Sequence, residues 1–199
     1  MTSRDFSYEQ TRRPSLVDKL GVYLSNREII DLVKKHKPKR VVDLGCGYNA
    51  VLLQKLRPYC DNLLGVDLAT NKNMEGIEFL DRRIEKALPF LADESVDLVV
   101  LNSVLEHLDF PEEVLVEVYR SLSVGGWAFV NVPNWRGKTF LEFSAFKLGL
   151  SPAEEMNDHK MYYDKRDLWP LLVRAGFRPQ DIKLCTHKLG LNTKAYARK

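Results

Sequence analysis

The chain has 199 residues, 45% hydrophobic and 29% charged, with 11 Gly and 9 Pro. That is enough for one domain with a substantial core, and it excludes disordered, collagenous and repeat classes. The 30 Lys and Arg against 27 Asp and Glu leave a net charge of +3, with ten basic and five acidic side chains in residues 1–40. This falls far short of the Lys/Arg stripe that nucleic-acid binding asks for, so no nucleic-acid partner is expected. Cys46, Cys60 and Cys185 have neither CxxC nor zinc-ligand spacing. With no apolar leader and no run near the roughly 18 apolar residues of a membrane span, a cytoplasmic protein is expected.

In chain order, Leu16, Val17 and Leu20, then Ile29, Ile30, Leu32 and Val33, recur at helical spacing. Gly21 and a Ser25 cap divide them, which predicts two helices leading into the body as a helical cap over residues 1–38. Val41 to Leu44 is a short apolar run ending in Gly45-Cys46-Gly47, and a helical stretch from Ala50 to Leu56 follows, stopping at Pro58. Leu63 to Val66, ending in Asp67, and Ile77 to Leu80 read as two further buried strands. Val96 to Leu101 is a near-continuous apolar strand of the kind covered on both faces of a parallel sheet.

Pro111 opens a helix with Val114, Leu115, Val118 and Leu122 on one face, closing at Gly125-Gly126, and Trp127 to Val132 is the next strand. Residues 134–163 break this rhythm with Trp135, Phe140, Phe143, Phe146, Tyr162 and Tyr163, a helix over 138–148 and a polar loop from Glu154 to Lys160. Lys165 to Ala175 reads as a helix ended by Gly176, and 180–187 with 191–198 as a terminal strand pair. Strands alternating with helices give an α/β, doubly wound, Rossmann-like sheet. Its ligands bind beyond the carboxyl ends of the strands, so the loops after Leu44, Val66, Leu101 and Val132 carry the site.

Gly45-x-Gly47 after the first strand lets the backbone turn tightly against a ligand, and Asp67, 22 residues beyond Gly45, suits the hydroxyls of a ribose. The same spacing fits a dinucleotide fingerprint. Asp43 argues against that, since an acid just before the glycines suits a cation better than a pyrophosphate, and no length remains for a second catalytic domain.

The segments VVDLGCGYNAVLL (41–53), LLGVDLA (63–69), LPFLADESVDLVVLNSVLEHL (88–108), EEVLVEVYRSLSVGGWAFVNVPN (112–134) and DHKMYYDKRDLWPLLVRAGF (158–177) together resemble the class I S-adenosylmethionine-dependent methyltransferases, in their small-molecule, ubiquinone- and menaquinone-biosynthesis-like branch. The resemblance implies one domain over residues 1–199, with a mostly parallel seven-stranded sheet, helices on both faces and an antiparallel C-terminal strand. It puts Asp43, Gly45, Cys46 and Gly47 around the methionine end of S-adenosylmethionine, Asp67 and Leu68 on the ribose, and Asn102 toward the methyl sulfonium. Arg83-Ile84 fall where relatives carry an acid and a backbone N–H for adenine; here the acid is missing, leaving the Ile84 N–H.

Methyl transfer is an in-line displacement, so the protein chiefly aligns the partners and excludes water, with a base needed only for a neutral alcohol or protonated amine. His107, beside Glu106, and His159, near Tyr162 and Tyr163, are the two candidates. Some ubiquinone-pathway relatives hold a divalent cation with Glu-x-x-Glu-His, but Ser103 stands at the first of those positions, and no metal is expected. The Asn/Asp-Pro-Pro-aromatic motif of base-amino methyltransferases is also absent, since Pro133 follows the fifth strand. The aromatic insert 134–163 is expected to form a lid over an apolar or aromatic small-molecule acceptor, methylated on O or N. Two alternatives stay open, a non-catalytic module that binds the cofactor and an RNA or protein methyltransferase. The leader is expected to close over the cleft, flanked by Tyr8 and Tyr23.

Overall fold

The central strands are valine- and leucine-rich because both of their faces are covered. In β1 (Arg40–Leu44) and β4 (Val96–Asn102), Val41, Leu98 and Val100 pack on one side and Val42, Leu44, Val99 and Leu101 on the other. Successive side chains of a strand point to opposite faces, so one run of sequence feeds two cores. The computed structural model describes Ser7, residues 16–146 and residues 159–199.

The remaining strands are β2 (Asn62–Asp67), β3 (Glu78–Asp81), β5 (Leu122–Pro133), β6 (Ile182–His187) and β7 (Asn192–Arg198). They form one sheet in the order β3-β2-β1-β4-β5-β7-β6. Strands β1 to β5 pair in parallel, and β7 lies antiparallel between β5 and β6. This is the seven-stranded Rossmann-like sheet expected from the sequence, with the order reversing between β1 and β4.

Helices α1 (Leu16–His36) and α2 (Val51–Leu56) cover one face, burying Ile29, Val33, Leu53 and Leu56 against Val41, Leu98, Val100 and Phe129. Helices α4 (Pro111–Ser121) and α6 (Lys165–Arg174) cover the other with Val114, Leu115, Val118, Leu168 and Leu172. A one-turn α3 (Ile84–Ala87) follows β3, and α5 (Trp135–Phe146) follows β5. No helix among the described residues is long and apolar enough to cross a membrane.

Three expectations need correction. The two leading helices are one, α1, because Ser25 does not cap anything: it is fully buried mid-helix and its Oγ donates to Gly21 O at 3.1 Å. The fourth helix stops at Ser121, and β5 begins at Leu122 rather than Trp127. The Gly125-Gly126 pair lies within β5, where the pairing with β4 shifts register between Val96 and Leu98. The helix of the aromatic insert starts at Trp135, three residues earlier than 138, because Asn134 caps it through an Oδ1 that accepts from Gly137 N at 2.9 Å. The expectations for Tyr8, for the loop over 154–158 and for the side chains of Phe143 and Phe146 lie outside the described residues.

Candidate functional site

The turn after β1 is shaped by its two glycines. Gly45 has φ 77° and Gly47 φ 74°, and a Cβ on Gly45 would meet Val104 Cγ2 at 2.4 Å. Only glycine fits this conformation and this contact together. Gly45 N and Cys46 N both donate to Val66 O, at 2.8 and 3.2 Å, which ties the turn to the end of β2. There Asp67 accepts from Gly47 N at 2.8 Å through one carboxylate oxygen and from Leu68 N at 2.7 Å through the other. A carboxylate has about four acceptor positions, so these bonds fix its direction and leave capacity for two hydroxyls.

Asp43, one residue before the end of β1, is buried, and its carboxyl is pushed up to about 8, first by burial and then by the nearby Asp67 charge. A buried acid of this kind is neutral near neutrality until a cation comes to it. The half-buried Cys46 thiol is also raised, by burial and then by Asp43 and Asp67, which makes it unreactive. Ser7, the one described residue before α1, docks just past the end of β2: its Oγ donates to Ala69 O at 2.6 Å and accepts from Ala69 N at 2.7 Å.

Past β3, Arg83 is exposed and Ile84 opens α3. The N–H of a first helical residue has no partner inside its helix, so Ile84 offers a backbone donor at this point. Asp81, the register partner of Asp67, accepts from Thr70 Oγ1 at 2.5 Å and pairs with Lys72 at 2.8 Å. Burial alone would raise its carboxyl, but these two partners outweigh burial and hold it low.

At the end of β4, half-buried Asn102 accepts through Oδ1 from Nδ2 of Asn131, at 2.9 Å. The chain then turns through Ser103, whose φ is 59°, into a 3-10 turn over Leu105–His107. Glu106, His107 and His159 bring one potential ligand atom each to within 4.8 Å of one another, with Glu106 buried and the two imidazoles half-buried. The two histidine rings meet edge to face at 4.8 Å, and His159 Nδ1 lies 3.1 Å from the Tyr162 hydroxyl. Trp135 packs against Tyr162 at 5.6 Å, so an aromatic wall stands beside the imidazoles.

Residues 160–163 are held there by backbone bonds. Lys160 N donates to Glu106 O at 2.8 Å and Tyr163 N to Pro133 O at 3.0 Å, while Lys160 Nζ pairs with Asp109 at 2.6 Å. The Tyr163 hydroxyl is pushed up to about 12 by burial and by the Glu106 and Asp167 charges. The cluster offers a proton acceptor beside an apolar wall, and its donor set of one carboxylate and two imidazoles is also one that a divalent ion can use.

The candidate cofactor and catalytic residues follow the carboxyl ends of β1, β2, β3 and β4 or meet there, most of them in two groups, with Arg83-Ile84 after β3 and Asn102 at the end of β4 apart from both. Asp43, Gly45, Cys46, Gly47, Asp67 and Leu68 form the turn and its acidic neighbour, whereas His107 and His159 meet above β4. The sequence reading missed the Asn131 contact, the Ser7 anchor and the Asn134 cap. Only the last had a local signal, an Asn directly before a helical stretch.

A family model described as a methyltransferase domain matches residues 13–182. The chain is 28% identical over 164 residues to a ubiquinone biosynthesis O-methyltransferase of Burkholderia thailandensis, covering 76% of this chain and 70% of that protein. It is 28% identical over 135 residues to a bifunctional methionine biosynthesis protein of Rhodopirellula baltica, covering 61% of this chain but only 21% of that protein. A match to the mitochondrial ubiquinone biosynthesis O-methyltransferase of Candida albicans, 30% identical, covers 47% of this chain and 32% of the relative. Among solved structures, a SAM-dependent methyltransferase from Thermotoga maritima superposes with a TM-score of 0.64 at 20% identity, covering 90% of this chain and 91% of the other.

Proposed function

The chain belongs to the methyltransferase-domain family, in its class I, S-adenosylmethionine-dependent form, and from that premise we propose that it transfers a methyl group to an oxygen or nitrogen of a small-molecule acceptor. The observation that carries this reading is the meeting of His107, His159, Tyr162 and Trp135 after β4, the strand paired with β1, whose carboxyl end carries the glycine turn. A small-molecule acceptor also accords with the O-methyltransferase relatives that share 28% identity with most of the chain.

The residues at the turn fit the cofactor. Asp43 is a buried acid awaiting a cation, the positive-φ glycines give a cradle that no side chain fills, and Asp67 has acceptor positions to spare. When bound, S-adenosylmethionine supplies an electrophilic methyl group on a cationic sulfur. Asp43 would neutralise its amino group, Asp67 and the Leu68 turn would orient its ribose, and Ile84 N–H would meet the adenine ring without help from an acid at Arg83. Asn102 would face the reacting end, and Gly45, Cys46 and Gly47 would lie along the methionine.

On the acceptor side, His107 would take the proton from an attacking hydroxyl, or from an ammonium that attacks only once it is deprotonated. His159, held through Nδ1 by Tyr162, would orient the acceptor and share that proton. No metal is needed for this chemistry. The segment 134–163 would act as the lid, anchored by Asn134, whose backbone N donates to Leu191 O at 3.1 Å and whose Nδ2 donates to Gly190 O at 2.9 Å. The leader and α1 would cap the cofactor end of the same single domain, with Ser7 already beside Ala69.

Incubation with methyl-labelled cofactor and a panel of phenols, catechols, amines and prenylated rings, read by mass spectrometry, tests the reading. Label in one of these small molecules is expected. Label found only in added RNA or protein, or cofactor binding with no label in anything offered, would overturn it.

A further inference from the structure

Asn131 is completely buried on β5, next to Asn102 on β4 and Lys194 on β7 in register. Its side chain spends both amide hydrogens. One goes to Asn102 Oδ1 at 2.9 Å and the other to Ser25 Oγ, in the middle of α1, at 3.4 Å. The Ser25 hydroxyl hydrogen goes to Gly21 O at 3.1 Å, so toward Asn131 the Ser25 oxygen can only accept. In this arrangement the bonds run from Ser25 to Gly21 and from Asn131 to both Ser25 and Asn102. With Asn102 and Ser25 in these orientations, turning the Asn131 amide over would place its carbonyl against two acceptors, and in the observed direction its own Oδ1 has no hydrogen-bond partner among the described residues.

The consequence reaches the site. Asn102 is half-buried at the carboxyl end of β4, and its carbonyl oxygen is occupied from the buried side by Asn131. What remains for the cleft is its NH2. We propose that Asn131 is a positioning residue: it orients the Asn102 amide so that a donor faces the cleft, and through Ser25 it couples that orientation to the seating of α1.

The group that the Asn102 NH2 recognises is then a hydrogen-bond acceptor, an oxygen of the bound cofactor. The coupling explains why a serine and an asparagine are buried where two apolar side chains would pack more cheaply. A paired amide gives direction, and a pair of leucines does not. The proposal rests on the reading that Asn102 faces the bound cofactor, and the test separates the two.

The charged group in register with Asn131 is Lys194 on β7, which with Tyr196 holds Glu28 of α1 at 2.7 Å in each case, and His187 at the end of β6 feels the charges of both Lys194 and Glu28. Each is shared by wild type and variant, so affinities are compared as ratios at each pH. S-adenosylhomocysteine binding is measured by calorimetry for wild type, Asn102→Ala, Asn131→Ala and Asn131→Asp, with melting temperatures alongside.

Asn102→Ala is expected to weaken binding roughly tenfold, the worth of one directed hydrogen bond. Asn131→Asp has the same shape, but when ionised it accepts from Asn102 and turns that amide over, so at alkaline pH it should bind at least as weakly as Asn102→Ala. As the pH falls and the new carboxyl is protonated, its O–H can donate to Asn102 Oδ1, and the ratio to wild type should recover. Asn131→Ala should show a smaller loss whose ratio does not change with pH. A merely structural Asn131 would lower melting temperatures and leave these ratios flat.

If Asn102→Ala weakens binding while both Asn131 variants bind as wild type, the positioning role is overturned. If Asn102→Ala itself binds as wild type, the reading beneath it is wrong. Should Asn131→Asp not fold, Ser25→Ala takes its place: it frees the Asn131 amide to turn and is expected to weaken binding several-fold with little change in melting temperature, and unaltered affinity would contradict the coupling.

Discussion

Asp43 makes the proposed cofactor site titratable. Its carboxyl is raised to about 8, by burial first and then by the charge of Asp67, so the free protein holds a proton there at neutral pH. A cofactor whose ammonium group needs the carboxylate must displace that proton on binding. Each pH unit below the raised value costs about 1.4 kcal/mol, or tenfold in affinity. From about pH 8 down to about pH 6 the affinity for S-adenosylhomocysteine should therefore fall close to 100-fold. Above that range it should level off and then decline as the ligand's own ammonium titrates.

The assay is calorimetric titration in two buffers of different ionisation enthalpy, which counts protons released as well as affinity. Wild type should release close to one proton at the acidic end and none at the alkaline end, and Asp43→Asn should abolish both the release and the pH slope. The same raised carboxyl makes free-protein stability present at low pH and progressively lost as pH rises toward about 8. Affinity independent of pH, with no proton released by wild type, would refute the assignment of Asp43 to the cofactor's cation.

Gly45→Ala should lower stability by about 2–4 kcal/mol, since it adds a Cβ at positive φ and overpacks Val104; denaturant unfolding reads this, and an unchanged midpoint would contradict the geometry. Burial pushes the Glu28 carboxyl up, but hydrogen bonds from Lys194 and Tyr196 outweigh it and leave it below its usual range. The stability of wild type over Glu28→Gln should therefore be present near neutrality and disappear as the pH falls through the carboxylate range. A difference that survives in acid would show that the pair contributes packing rather than charge. His107→Ala should cut turnover on a hydroxyl acceptor by roughly 100-fold with the cofactor affinity intact, while exhaustive chelation leaves turnover unchanged. Loss of activity on chelation, restored by a divalent ion, would instead make Glu106, His107 and His159 a metal centre.

The parts of the fold and site that local sequence could reveal are those fixed by neighbours along the chain. The glycine turn needs Gly45 and Gly47 beside each other, and the strands from Val41 and Val96 announce themselves by unbroken apolar runs. Where the reading failed, a distant partner decided the outcome. Ser25 reads as a cap because serine competes for backbone groups, yet α1 runs through it, and its oxygen serves Asn131, 106 residues away. Leu122 continues the helical spacing of Val118, but it pairs with Val96 as the first residue of β5. His107 and His159 were each visible as candidates. Their meeting depends on Lys160 N reaching Glu106 O, a contact that no spacing in the sequence encodes.

The central claim, that the turn after β1 and the acid at the end of β2 form the S-adenosylmethionine site, is tested most directly by titrating wild type and Asp67→Ala with S-adenosylhomocysteine. Asp67 takes backbone donors from both Gly47 and Leu68, so its removal costs the ribose contact and the fixed turn together. Micromolar binding by wild type that Asp67→Ala loses is the predicted result. Equal binding by the two proteins, or none by wild type, would contradict it.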